Sequence, residues 1–174
     1  MRLLIFLVVM ILSTPVYGKD LIRSIEGVVT KVSDGDTIQV VDSLGTKLKV
    51  RLYGIDAPET AKGNRPGQPH GEESYKALQA KILRQKIRLD VLDIDKYRRL
   101  VALVWLADRN MNLEMISEGH AWAFRKYLDA GHKAEFIGIE RQAEKSRAGL
   151  WQQDSPRPPW EFRKALAKGP LLTR

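Results

Sequence analysis

Residues 46–52 read Thr46-Lys47-Leu48-Lys49-Val50-Arg51-Leu52. Leu48, Val50 and Leu52 alternate with Lys47, Lys49 and Arg51. That period of two predicts a strand with its apolar set on the core side and three cations on the other. Upstream, "IEGVVTKV" (25–32) is β-branched and reads as a strand, Ser33-Asp34-Gly35 as a turn, and "DTIQVVD" (36–42) as a second strand, with Leu44-Gly45 marking the next turn. Downstream, residues 61–71 hold three glycines and two prolines and read as a loop. A helix over 72–85 follows, with Tyr75, Leu78 and Ile82 on one face. "IRLDVLD" (87–93) and "LVALVWL" (100–106) read as the fourth and fifth strands. Then come a short helix over 111–119, a short extended "AWAF" and a helix over 133–148 ended by Gly149. "DSPRPPWEF" (154–162) reads as irregular chain leading into a basic tail. Five strands with a helix between the third and fourth is the order of an OB-type barrel. The predicted fold is therefore α+β, a five-stranded OB-fold β-barrel with about three packed helices.

A length of 174 residues suits one domain with a real core. The start is separate. Met1-Arg2, an apolar run from Leu3 to Leu12 and small residues up to Gly18 have the pattern of a secretory signal peptide, cleaved near Gly18. The run is shorter than the roughly 20 apolar residues of a membrane span. The expected organisation is a leader over 1–18, the OB-fold domain over 19–155 and a Pro-rich basic extension over 156–174, exported to the periplasm or beyond. Cysteine is absent, which excludes disulfides, thiolate metal sites and a cysteine nucleophile. The net charge of +8 and pI of 9.8 point to a polyanionic partner, whether nucleic acid, anionic glycan or anionic membrane.

The chemistry concentrates after Leu52. Asp56 ends the third strand and Glu59 follows beyond Pro58, a residue that stiffens the turn. Asp36 opens the second strand, so neighbouring strands can bring Asp36 and Asp56 together. Two carboxylates with carbonyls and waters make a hard-oxygen site suited to Ca²⁺ or Mg²⁺. Glu59 could prepare a water near a metal-bound phosphate. Arg51 and Arg99 carry guanidinium forks that match phosphate oxygens. The three histidines, His70, His120 and His132, show no metal-ligand spacing and read as structural or surface residues. Trp122 and Tyr127 could stack on bases or pack in the core.

"VSDGDTIQV", "VRLYGIDAPET", "DKYRRLVALVW", "EGHAWA" and "AGLW", in that order across about residues 25–151, resemble the staphylococcal (micrococcal) nuclease family, the thermonucleases. The resemblance implies an OB-fold nuclease that uses one Ca²⁺ to cleave DNA and RNA, leaves 3′-phosphates and works as a monomer without an obligate protein partner. Residue by residue it implies that Asp36 and Asp56 are metal carboxylates and that Ala57 supplies a backbone carbonyl to the metal. Asp34 then matches an acid behind those ligands. Arg51 and Arg99 match the arginines that hold the scissile phosphate, and Glu59 the carboxylate that prepares the water. Lys96, Tyr97 and Tyr127 match positions beside the bound nucleotide. Arg98 stands where the family usually has glycine. The alternative is a non-catalytic OB module that binds nucleic acid by charge and stacking.

Overall fold

A computed structural model describes residues 19–167. The expected leader over 1–18 and the end of the basic tail lie outside the described residues. The alternating stretch is β3 (Lys47–Leu52), and its neighbours β1 (Arg23–Asp34) and β2 (Thr37–Asp42) form an antiparallel meander with it. β1 is long enough to serve two partners. Its later half pairs with β2 and its first half with β5 (Lys86–Ile94). Register shifts between Val29 and Lys31 and between Val32 and Asp34 mark the bulges at which such a strand bends. β5 pairs with β6 (Leu100–Leu106), and β6 closes the sheet by running parallel to β3, Arg51 opposite Val101. The five strands thus form the closed barrel expected of an OB fold. A two-residue strand, β7 (Arg109–Asn110), extends the sheet beyond β6. Asp56 does not end the third strand as expected: β3 stops at Leu52, Gly54 turns the chain at φ 73°, and β4 (Ile55–Asp56) pairs with β8 (Trp122–Ala123) in a ribbon of its own.

Helix α1 (Gly71–Ile82) sits between the third and fourth barrel strands and buries Leu78 and Ile82. It stops three residues short of the expected end, because Leu83 is extended and Arg84 has φ 64°. α2 (Met111–Ser117) buries Met111, Met115 and Ile116, and its Asn112 is wholly inside. The Asn112 amide donates to the Tyr53 and Ala102 carbonyls and its oxygen accepts from Val104 N–H, so this buried polar group is satisfied. α3 (Ala130–Lys145) starts earlier than the periodicity predicts, because the Asp129 carboxylate accepts from the N–H groups of Gly131 and His132 and caps it. Gly149 does not end α3. Ser146 is the cap, Arg147 takes the left-handed conformation at φ 54°, and Gly149 opens a 3₁₀ turn over Gly149–Gln152.

The largest departure from the sequence reading is α4 (Pro159–Ala167), a helix where irregular chain was expected. Pro159 stands at its first position, where a missing N–H costs nothing. No proline follows within it, and Glu161 and Lys164 complement the helix dipole. Among the described residues, no helix is long and apolar enough to cross a membrane.

Candidate active site at the barrel mouth

The end of β3, the β1–β2 turn and β4 meet at one rim. Gly35 in that turn lies so close to α1 and β4 that a Cβ there would sit 1.9 Å from Ser74 Oγ and 2.8 Å from the Ala57 side chain. The absence of a side chain lets the Asp34–Asp36 turn reach the segment after Asp56. Asp36 Oδ2 then accepts from Ala57 N–H at 3.1 Å, and Thr37 Oγ1 donates to Asp36 Oδ1 at 2.8 Å.

Arg51 joins the two aspartates. Its Nη1 donates to Asp36 Oδ1 at 3.1 Å and its Nη2 to Asp56 Oδ1 at 2.7 Å. The strand alternation correctly put Arg51 outside the apolar core, but its side chain is only 19% exposed. Burial works against its charge, and the Asp36 and Asp56 carboxylates overcome that and raise its pKa. Asp56 is wholly buried. Burial pushes its carboxyl above the ordinary value, against the opposing pull of the arginines.

Glu59 is held by its backbone. Its carbonyl accepts from Gln68 N–H at 2.8 Å, and a Cβ on Gly71 would lie 2.1 Å from that same oxygen. The loop over 61–71 is therefore anchored against the residue whose carboxylate faces the site. Asp34 sits behind it and bonds to Lys62 Nζ at 2.5 Å and to Thr60 Oγ1 at 3.2 Å. Burial raises the Asp34 carboxyl and the Lys62 bond opposes the rise.

The remaining expected residues lie on the turn between β5 and β6 and on the segment after β8. Arg99 is tied to its own turn: Asp95 accepts from Arg99 Nε at 2.7 Å and from Arg99 N–H at 3.0 Å. The parallel β3–β6 register pairs Arg51 with Val101, and Arg99 lies two positions earlier, in the turn that enters β6. Arg98, beside it, takes the left-handed conformation at φ 61°. Tyr97 is exposed, with the Lys96 ammonium and the Arg99 guanidinium over its ring. Tyr127 is exposed too, edge-on to Phe124 at 4.7 Å.

One participant was missed. Arg163 of α4 reaches the site, its Nη2 donating to Asp56 Oδ2 at 2.7 Å and its Nη1 to Asp56 Oδ1 at 3.1 Å and Glu59 Oε1 at 2.6 Å. A signal existed: Pro159 begins a proline-free run in which Trp160 and Arg163 fall three apart, on one helix face. The histidines also hold a surprise. His70 and His120 stack, with Nε2 and Nδ1 3.1 Å apart.

Among the described residues, no group of three His, Cys, Asp or Glu side chains is arranged to hold a metal ion. The donor chemistry nonetheless fits a hard cation. Asp36 and Asp56 share one guanidinium nitrogen, Arg51 Nη2, at 3.1 and 2.7 Å, so their oxygens converge on a single positive group. Oxygen-only donors of this kind suit calcium.

The family model described as staphylococcal nuclease homologue matches residues 49–153. The chain is similar to a thermonuclease from Staphylococcus intermedius, 35% identical over 136 residues, covering 76% of this chain and 79% of that one. It is 32% identical to a micrococcal nuclease from Shigella flexneri over 167 residues, covering 91% and 88% of the two chains. An uncharacterized endonuclease from Haemophilus influenzae is 34% identical over 136 residues, covering 78% and 71%.

Proposed function

This chain belongs to the staphylococcal nuclease homologue family, and we propose that it is an exported, calcium-dependent nuclease. It hydrolyses phosphodiester bonds of DNA and RNA, leaves 3′-phosphates and acts as a monomer. The observation that carries the reading is the gathering of Asp36, Arg51, Asp56 and Glu59 at one rim of the barrel. The nuclease names of the relatives and the basic charge support it, and the leader-like pattern over 1–18 supports export.

Asp36 and Asp56, with the Ala57 carbonyl, are the residues that would hold the ion. Bound calcium would draw charge from a non-bridging phosphate oxygen. Arg51 and Arg99 hold the phosphate and stabilise the negative charge that grows as the water oxygen bonds to phosphorus. Glu59 takes a proton from that water. The bond from phosphorus to the 5′ oxygen breaks, so the phosphate stays on the 3′ side. Lys96, Tyr97 and Tyr127 contact the nucleotide, and Asp34 holds the Thr60–Lys62 segment in place behind Glu59. The chain carries no cysteine nucleophile, and direct attack by water needs no covalent enzyme intermediate.

The test is cleavage of supercoiled plasmid with Ca²⁺, with Mg²⁺ and with a chelator, each beside Glu59→Ala. Cleavage with Ca²⁺ that the chelator and the substitution both abolish is expected. Intact plasmid in every condition, with DNA still bound, would identify a binding module instead.

A further inference from the structure

Arg163 stands where the proposed chemistry needs a cation and a water. Its fork takes both oxygens of Asp56, and one of its nitrogens also takes Glu59. Asp56 Oδ1 is further engaged by Arg51. Asp56 therefore has no oxygen free of a guanidinium, and the Glu59 oxygen meets a positive charge in place of a water. A cation on Asp56 would have to share both of its oxygens with Arg163 and would meet a like charge there, so the two compete for the same carboxylate.

The same helix covers the aromatic face beside the site. Trp160 lies parallel to Phe124, 2° between planes and 5.2 Å between centroids, and meets Trp122 edge-on at 5.9 Å. Trp122 is the register partner of Asp56 across the β4–β8 ribbon, so this face adjoins the carboxylates. Stacked aromatic surface of this kind is what unpaired bases use.

The mooring of α4 is slight. Among the described residues of α4 only Pro159 is buried, and the Arg163 side chain is 40% exposed. A cleft lined by Glu59, Thr60, Lys62, Arg65, Pro66 and Arg163 opens between α4 and the loop after Glu59. Short irregular chain connects the 3₁₀ turn to α4. α4 is joined to the barrel by one charged fork and the two aromatic contacts of Trp160, with Gln68 Nε2 donating to the Arg157 carbonyl just ahead of it, and it can leave without unpacking the core.

We propose that α4 is a tethered competitor of the cation: Arg163 occupies Asp56 and Glu59 in the ion-free protein, and ion binding displaces it and uncovers the aromatic face. The inference rests on the calcium-dependent reading of this site. It makes the apparent ion affinity the intrinsic affinity reduced by the fraction of molecules with α4 released. Charge-assisted forks of this type account for about a tenfold to hundredfold bias.

The experiment is calorimetric titration of Ca²⁺ into the wild-type chain and Arg163→Gln, with hydrogen exchange of residues 159–167 in the wild-type chain with and without Ca²⁺. Calcium should bind Arg163→Gln about ten times more tightly or better, and Ca²⁺ should speed exchange in α4 of the wild-type chain. The exchange measurement needs no variant, so it decides even where a substitution misfolds. Equal affinities, with α4 exchange unmoved by saturating Ca²⁺ in a chain that cleaves plasmid, would overturn the competitor and leave the nuclease reading standing. Failure of both proteins to bind Ca²⁺, with no cleavage, would overturn the nuclease reading and the competitor with it.

Discussion

Asp56 and Glu140 are both buried carboxylates, both face an arginine, and burial pushes both above their ordinary values. They lie on either side of the same short strand, β8. Their partners differ. Glu140 accepts the backbone N–H of Ala123 at 2.8 Å and pairs with Arg125, so it ties α3 to β8. Among the described residues, the Asp56 side chain is bonded to cations alone, Arg51 and Arg163. The backbone donor to Glu140 cannot leave without local unfolding. A carboxylate satisfied only by guanidinium groups can exchange one cation for another at small cost. Burial and charge are alike at the two places, and the donors differ: a strand N–H with one arginine at Glu140, two arginines at Asp56.

That distinction can be broken in several ways. The largest effect should come from Arg99→Lys, which keeps the charge and loses the fork. Turnover should fall by two to three orders of magnitude, about 3–4 kcal/mol by analogy with loss of one transition-state donor. Steady-state cleavage rates check it, and a loss below about threefold would remove Arg99 from the chemistry.

Next is the direct contrast. Glu140→Ala leaves the Ala123 N–H unsatisfied and should cost about 2 kcal/mol of stability. Asp56→Asn should cost about 1 kcal/mol, because Arg51 keeps Asp36 and Arg163 keeps Glu59 as partners. Urea denaturation of both variants measures the difference, and equal losses would mean that Asp56 is as structural as Glu140. Plasmid cleavage should reverse the ranking, with Asp56→Asn inactive.

Arg98→Gly should stabilise the chain by about 1 kcal/mol, because glycine takes the left-handed conformation at φ 61° without strain. A lowered melting temperature would show that the Arg98 side chain makes a contribution outweighing that strain.

The smallest effect concerns the histidine pair. Burial lowers the pKa of both His70 and His120. The unfolded chain then binds more protons than the folded one below about pH 6.5, so stability present above that value is lost as pH falls through the folded values. The carboxyls of Asp56 and Glu140 act with the opposite sign, losing stability as pH rises above the ordinary carboxylate range. A His70→Gln, His120→Gln variant isolates the histidine share: its urea midpoint should fall less than wild type between pH 7 and 5. Parallel curves would refute the assignment.

Much of this was readable in the chain itself. The alternation of Lys47–Leu52 placed β3, and the turn glycines separated it from its neighbours. Asp36 and Arg51 fall where the meander must pair its strands, and Arg51 bonds both Asp36 and Asp56, although Asp56 lies on β4 and does not end β3. Those relations are local or follow from pairing of successive strands, and period and register encode them. The ends of the helices were less legible, because Asp129 and Arg147 act through cap geometry that a hydrophobic period does not carry.

What lay beyond the sequence is the meeting of residues with no pairing rule between them. Arg163 reaches Asp56 across 107 positions, and Trp160 reaches Phe124 because α4 folds back over the ribbon. No periodicity links these places. The energy that joins them is a charged fork and an aromatic stack, and each depends on where the barrel has already put its partner. The sequence alone determined the barrel and which acids and arginine its early strands carry; only the tertiary structure decided that Arg163 joins them.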